Sequence, residues 1–192
     1  MIIQKRWHIS VLVLTLTLLV GGLLSYTFVK NGYFPVAKVE GKYISYKTVQ
    51  ENIDVSKRIY TKGLAGSSAD MEMLFKRGNE KLLFSNVLES LITNEIIKSV
   101  ATGDLLSKAQ TEMKSNFDEK STANIASMVR EVYGWDVAKF TERILEPQAL
   151  LDVLTKEKGT NFNSWLESSK KSASVSIWFI PFEWSGGKLI SK

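Results

Sequence analysis

The sequence predicts a mainly α-helical domain that follows an N-terminal transmembrane helix and is closed by a small β-sheet pairing its first and last strands. Three observations lead there. Ile9 to Val29, "ISVLVLTLTLLVGGLLSYTFV", carries no charge. Apolar residues recur at spacings of three and four through most of the chain after Ser45, the period of an amphipathic helix. Only two short stretches, "VAKV" at Val36 to Val39 and "SVSIWFI" at Ser174 to Ile180, read as strands, and they stand at opposite ends of the helical region.

As a helix, Ile9 to Val29 would be about 31 Å long at about 1.5 Å per residue, the thickness of a bilayer core. A cleavable signal peptide has a shorter apolar region and a small-x-small site, a pattern that Leu23 and Leu24 break around Ser25. Residues 1–30 are therefore expected to form a short cytoplasmic tail and an uncleaved single-pass anchor, with Trp7, Tyr26, Tyr33 and Phe34 at the interfaces. Lys5 and Arg6 favour an inside N-terminus, whereas Lys30, Lys38, Lys42 and Lys47 crowd the other flank. The expected location is the cytoplasmic membrane, with the domain on its extracytoplasmic side.

After the strand at Val36 to Val39, Glu40-Gly41-Lys42 is a tight turn, Tyr43-Ile44 returns, and Ser45 caps a helix. A two-strand piece is marginal alone and needs a partner. The first helix, with Tyr46, Val49, Ile53 and Tyr60 on one face, ends near Thr61. Ser67 and Asp70 read as a capping box for a long second helix carrying Phe84, Leu88, Leu91, Ile92, Glu95 and Ile96, weakened at Gly78 and ending near Gly103. A third helix from Asp104 aligns Leu106, Ala109, Met113 and Phe117, and a fourth from Ser121 aligns Ile125, Val129 and Tyr133. Asp136 caps a fifth segment with Phe140 and Ile144; Pro147 either kinks it or begins a new helix with Leu150, Leu151 and Leu154. A last helix from Asn161 carries Phe162, Trp165 and Leu166. In Ser174 to Ile180, Val175, Ile177 and Phe179 fall on one face and Ser176, Trp178 and Ile180 on the other. The domain boundaries expected are 31–181, with 182–192 as a tail.

Composition narrows the chemistry. The chain has 192 residues, 44% hydrophobic and 23% charged, and a formal charge of +5. Lys5, Arg6 and Lys30 flank the apolar run, so residues 31–192 hold 22 basic against 20 acidic side chains, a balance that gives no electrostatic reason to expect nucleic acid. There is no cysteine, and the single histidine, His8, precedes the apolar run. Disulfides, thiolate metal sites and Ser-His or Cys-His nucleophile systems are thereby removed from the main body. No cofactor is expected. Glu95 lies near Lys98 at the edge of a helix face, Gly186-Gly187-Lys188 lacks the spacing of a nucleotide loop, and Asp118-Glu119 lacks the spaced ligands of a calcium loop.

The segment "VAKVEGKYISYKTV" resembles the opening of the SurA N-terminal chaperone domain, shared in outline with the PrsA and PpiD group of anchored folding factors. "VLESLITNEIIKSVA", Val87 to Ala101, is similar to that family's second helical signature, and "GWDVAKFTERI", Gly134 to Ile144, resembles a later segment. The resemblance implies a SurA N-terminal-like helical fold and a membrane-anchored extracytoplasmic domain that binds unfolded or partly folded polypeptide. A parvulin prolyl-isomerase domain, common in that group, has no room here, so no enzymatic activity is expected. An envelope scaffold with one fixed membrane-protein partner is the alternative, and a prolyl isomerase a remote one. The candidate polypeptide-binding residues are Trp135, Phe140, Trp178, Phe182 and Trp184. Phe140 and Trp165 also fit a core, whereas Trp178, Phe182 and Trp184 lie on or beyond an edge-like strand, where an exposed apolar patch would serve clients or sit against lipid.

Overall fold

In a computed structural model, residues 25–62, 75, 76, 78–116 and 122–192 are described. The chain is mainly helical, with two small antiparallel sheets. Among the described residues no helix is long and apolar enough to cross a membrane. This corrects the fold expected from the sequence: only a short helical segment, residues 25–30, is described from the stretch assigned to the anchor, and most of Ile9 to Val29 lies outside the described residues. The Ser67–Asp70 capping box, Phe117 and Asp118-Glu119 lie outside them as well.

Strand β1 (Pro35–Val39) turns through Glu40 and Gly41, both at positive φ, into β2 (Lys42–Ser45). It also pairs on its other edge with β3 (Val175–Ile177), so the sheet order is β2-β1-β3. The register sets Ala37 opposite Ile177, Lys38 opposite Ser176 and Val39 opposite Val175. The bonds from Glu40 N to Ser174 O and from Trp178 N to Val36 O, both 3.0 Å, extend the ladder past the strand ends. The central strand leaves few backbone groups unpaired, and its Val36, Ala37 and Val39 are completely buried. Fully burying a valine is worth about 1.5–3 kcal/mol.

Ser45 Oγ accepts the Thr48 amide at 3.1 Å and starts helix α1 (Tyr46–Thr61). Helix α2 (Glu80–Val100) runs beneath the sheet, and Leu88, Ile92 and Ile96, one helical turn apart, point into the core formed with β1 and α1. Gly78, expected within this helix, instead precedes it at φ 97°. Helix α3 (Gly103–Asn116) packs chiefly on α6 (Glu146–Lys158), burying Leu105 and Ala109 against Leu150, Val153 and Leu154. Helix α4 (Thr122–Val132) and the single turn α5 (Val137–Phe140), capped by Asp136 Oδ1 on the Lys139 amide at 2.7 Å, meet α1 in a third cluster.

Pro147 stands in the first turn of α6, the position that tolerates a proline at a helix start. Thr141–Leu145 is a π-helical turn that runs straight into α6, with Glu146 N–H bonded to Thr141 O. The wider turn absorbs the amide that proline lacks. Helix α7 (Phe162–Ser172) then leads to β3.

Residues 182–192, expected as a tail, form a hairpin of β4 (Phe182–Ser185) and β5 (Lys188–Ser191). Gly186 and Gly187 both have positive φ, as a two-residue hairpin turn of this twist requires. Its inner face packs Phe182, Trp184 and Leu189 onto the α2 core. Glu89 of α2 ties it down, accepting from Lys170 Nζ at 2.8 Å and from the Leu189 amide at 3.4 Å.

The β1–β3 register is directly testable in a protein without native cysteines. Cysteines at Lys38 and Ser176 should crosslink on oxidation or with a short bis-thiol reagent, as judged by mobility on denaturing gels. Cysteines at Lys38 and Ser191 should not.

Candidate functional site

The five aromatic residues singled out in the sequence do not form one surface. Trp135 and Phe140 are buried with Val55 and Val129 where α1, α4 and α5 meet, and the Tyr133 ring lies 4.7 Å from that of Phe140. Phe182 is buried and stacks on Phe84 of α2 at 6.1 Å. Trp184 is half-buried, donating its Nε1–H to Lys170 O at 3.3 Å. Trp178 is likewise half-buried, on the outer face of the sheet beside the exposed Tyr43, at 6.3 Å between ring centroids.

The difference comes from one backbone conformation. Phe179 has φ 59°, a left-handed geometry that bulky side chains rarely adopt. Trp178 still pairs with Val36, and the chain must then turn toward Pro181 and β4. The reversal at Phe179 returns Ile180 to the core and leaves the Phe179 ring 80% exposed, edge-on to Phe34 at 6.3 Å. Strict alternation through Ile180 therefore fails at one residue, and with it the inference that Trp178, Phe182 and Trp184 face the same way.

Two of the accessible surfaces combine apolar groups with nearby charge. The first is the outer face of the three-stranded sheet and the segment leading into it. Tyr43, 65% exposed, has Lys38 Nζ over its ring at 5.3 Å. Lys47 donates to Tyr33 Oη at 2.8 Å, and that bond holds the Lys47 ammonium above the ordinary lysine range. Tyr26, 63% exposed, lies near Lys30 in the same manner. Three aromatic–ammonium pairs are thus formed, one on the sheet and two in the segments beside it.

The second is an apolar groove between α3 and α6, enclosing about 230 Å³. Leu106, Ala109, Met113 and Leu150 form its floor, and Lys98, Gln110 and Glu146 its rim. Its volume suits one or two side chains and falls short of a typical cofactor pocket of roughly 300–1,000 Å³. A neighbouring cleft holds Lys42, Thr48, Asn94, Glu95, Lys98, Glu142 and Arg143, with charges of both signs set against each other: Glu95 and Lys98 lie 3.5 Å apart, as do Glu142 and Arg143. Among the described residues no group of three His, Cys, Asp or Glu side chains is placed to hold a metal ion.

Compared with known protein families, characterised proteins and solved structures, the chain matches none.

The groove at α3–α6 was legible only as a stripe, Leu106, Ala109 and Met113, which is the ordinary pattern of a core-facing helix. Phe179 gave no signal at all, since its φ is set by tertiary closure.

Replacing the two adjacent phenylalanines should separate core from display. Phe182→Ala should lower stability by about 3–5 kcal/mol. Phe179→Gly should leave stability unchanged or raised, because it removes a left-handed penalty of about 1–2 kcal/mol against a glycine entropy cost of about 0.5–1 kcal/mol. Urea unfolding midpoints provide the comparison.

Proposed function

We propose that the chain is a non-enzymatic holding domain for unfolded or partly folded polypeptides, and that its client surface is the α3–α6 groove. The observation that carries this reading is the open apolar floor of Leu106, Ala109, Met113 and Leu150 beneath a rim of both charge signs. Leu106 is 44% exposed, so an incoming side chain gains apolar contact without any part of the core having to open. Met113 adds an unbranched, polarizable side chain that adapts to differently shaped partners. The shallow volume favours many weak contacts over one tightly bound ligand.

The resemblance of three sequence segments to the SurA N-terminal domain supports the same reading. A position at the cytoplasmic membrane belongs to the proposal and is supported by the charge-free sequence of residues 9–29, and its extracytoplasmic side by the resemblance.

Aggregation assays with several unrelated unfolded proteins test it. The purified chain should slow aggregation of most of them, and Leu106→Ser and Met113→Ser should each weaken the effect. Loss of about 40 Å² of apolar contact costs about 1 kcal/mol, a roughly fivefold drop in affinity. A chain that ignores all clients and co-purifies with one partner would replace the holding role with a scaffold role. Catalysed prolyl isomerisation would overturn the non-enzymatic reading.

A further inference from the structure

We propose a second binding surface, independent of the groove: the outer face of the three-stranded sheet docks on the headgroup layer of an anionic lipid bilayer. Tyr43 and Trp178 lie side by side on this face, and Phe179 follows directly, its ring against Phe34 where the chain enters β1. Aromatic rings of this kind favour the boundary between hydrocarbon and water, where an apolar body and a polar edge are both accommodated.

Charge selects the lipid. Lys38 stands over the Tyr43 ring on this face, with Lys30 and Lys47 beside Tyr26 and Tyr33 in the flanking segments, and the acid next to them on the sheet is Glu40 at the β1–β2 turn. The Glu40 carboxylate is engaged, accepting the Ser174 amide at 2.7 Å. Residues 31–192 as a whole are nearly neutral, so this positive charge is a local feature. Lysines near a bilayer are attracted to anionic headgroups, and each adds to the affinity.

The course of the chain supplies the third argument. Residues 9–24 carry no charged side chain and join directly to the described residues at Ser25. That uncharged sequence lies within a few residues of Tyr26, Phe28 and Tyr33, in the segment that leads into β1. The left-handed backbone of Phe179 fits this use, since strained residues persist where the surrounding structure holds them and tend to mark contact sites.

Because residues 9–24 could bring the chain to any vesicle, total binding is uninformative and a positional readout is needed. The full chain, free of native cysteine, would carry an environment-sensitive fluorophore at Phe179→Cys, at Tyr43→Cys or, as a control, at Thr160→Cys between α6 and α7. It would be reconstituted with phosphatidylcholine vesicles containing headgroup-spin-labelled lipid, with and without phosphatidylglycerol. Labels at 179 and 43 should shift to the blue and be quenched in the anionic vesicles, while the label at 160 stays unquenched. Quenching at 179 and 43 should be largely lost at high salt and in the variant replacing Lys30, Lys38, Lys42 and Lys47 by Gln. Far-UV circular dichroism would confirm that each variant is folded, and two labelled positions guard against one misfolding. Absence of quenching at both positions, equal quenching without anionic lipid, or a blue shift that needs added client protein or higher chain concentration would each overturn the proposal.

Discussion

The structure depends on β1 lying between β2 and β3. Its neighbour on one side is reached through a two-residue turn, and its neighbour on the other comes from more than a hundred residues away. This second pairing is a long-range closure: it converts a succession of amphipathic helices, each marginal alone, into a domain with a common floor. Val36 and Val39 are buried there against Leu88, Ile92 and Ile96 of α2, in a core that α1 completes with Val49 and Ile53.

From that closure the remaining features follow. With β3 fixed beside β1, the chain leaving Trp178 has to reverse within two residues to reach the α2 core. The reversal is made by Phe179 in a conformation unusual for its type. The same turn delivers Phe182 to Phe84 and brings the Gly186-Gly187 hairpin against α7 and α2, where Glu89 bridges Lys170 and the Leu189 amide. Functionally, the fold carries two unlike surfaces: an aromatic and cationic one outside the sheet, and an aliphatic groove along the packed pair α3 and α6. Their lining residues differ in kind, which is the physical basis for assigning them to different partners.

Local chemistry made much of this readable. Ser45 and Asp136 act as helix caps through their own side chains, and the turn at Glu40-Gly41 depends on residues that tolerate positive φ. The strands were visible because β-branched residues cluster at Val36 to Val39 and Val175 to Ile177. What could not be read was set by tertiary context. Pro147 stands in the first turn of α6 directly after a π-helical turn, and nothing in Thr141 to Leu145 announces that turn. The Gly-Gly pair did carry a hairpin signal, but its flanks, four residues each, were too short to stand out from a tail. For the site, Phe182 was drawn into the candidate set by its place beyond an edge-like strand, and Trp135 and Phe140 as part of an aromatic cluster; all three are buried by packing that position in the sequence does not reveal.

Amide hydrogen exchange tests the central role of the β1–β3 closure most directly. If the closure holds the domain together, the Trp178 and Glu40 amides should exchange at the same slow rate as those of Leu88 to Ile96, since all would open only in the same cooperative unfolding event. Fast exchange at Trp178 and Glu40, with α2 still protected, would show that the helical body stands without its sheet and would contradict the account.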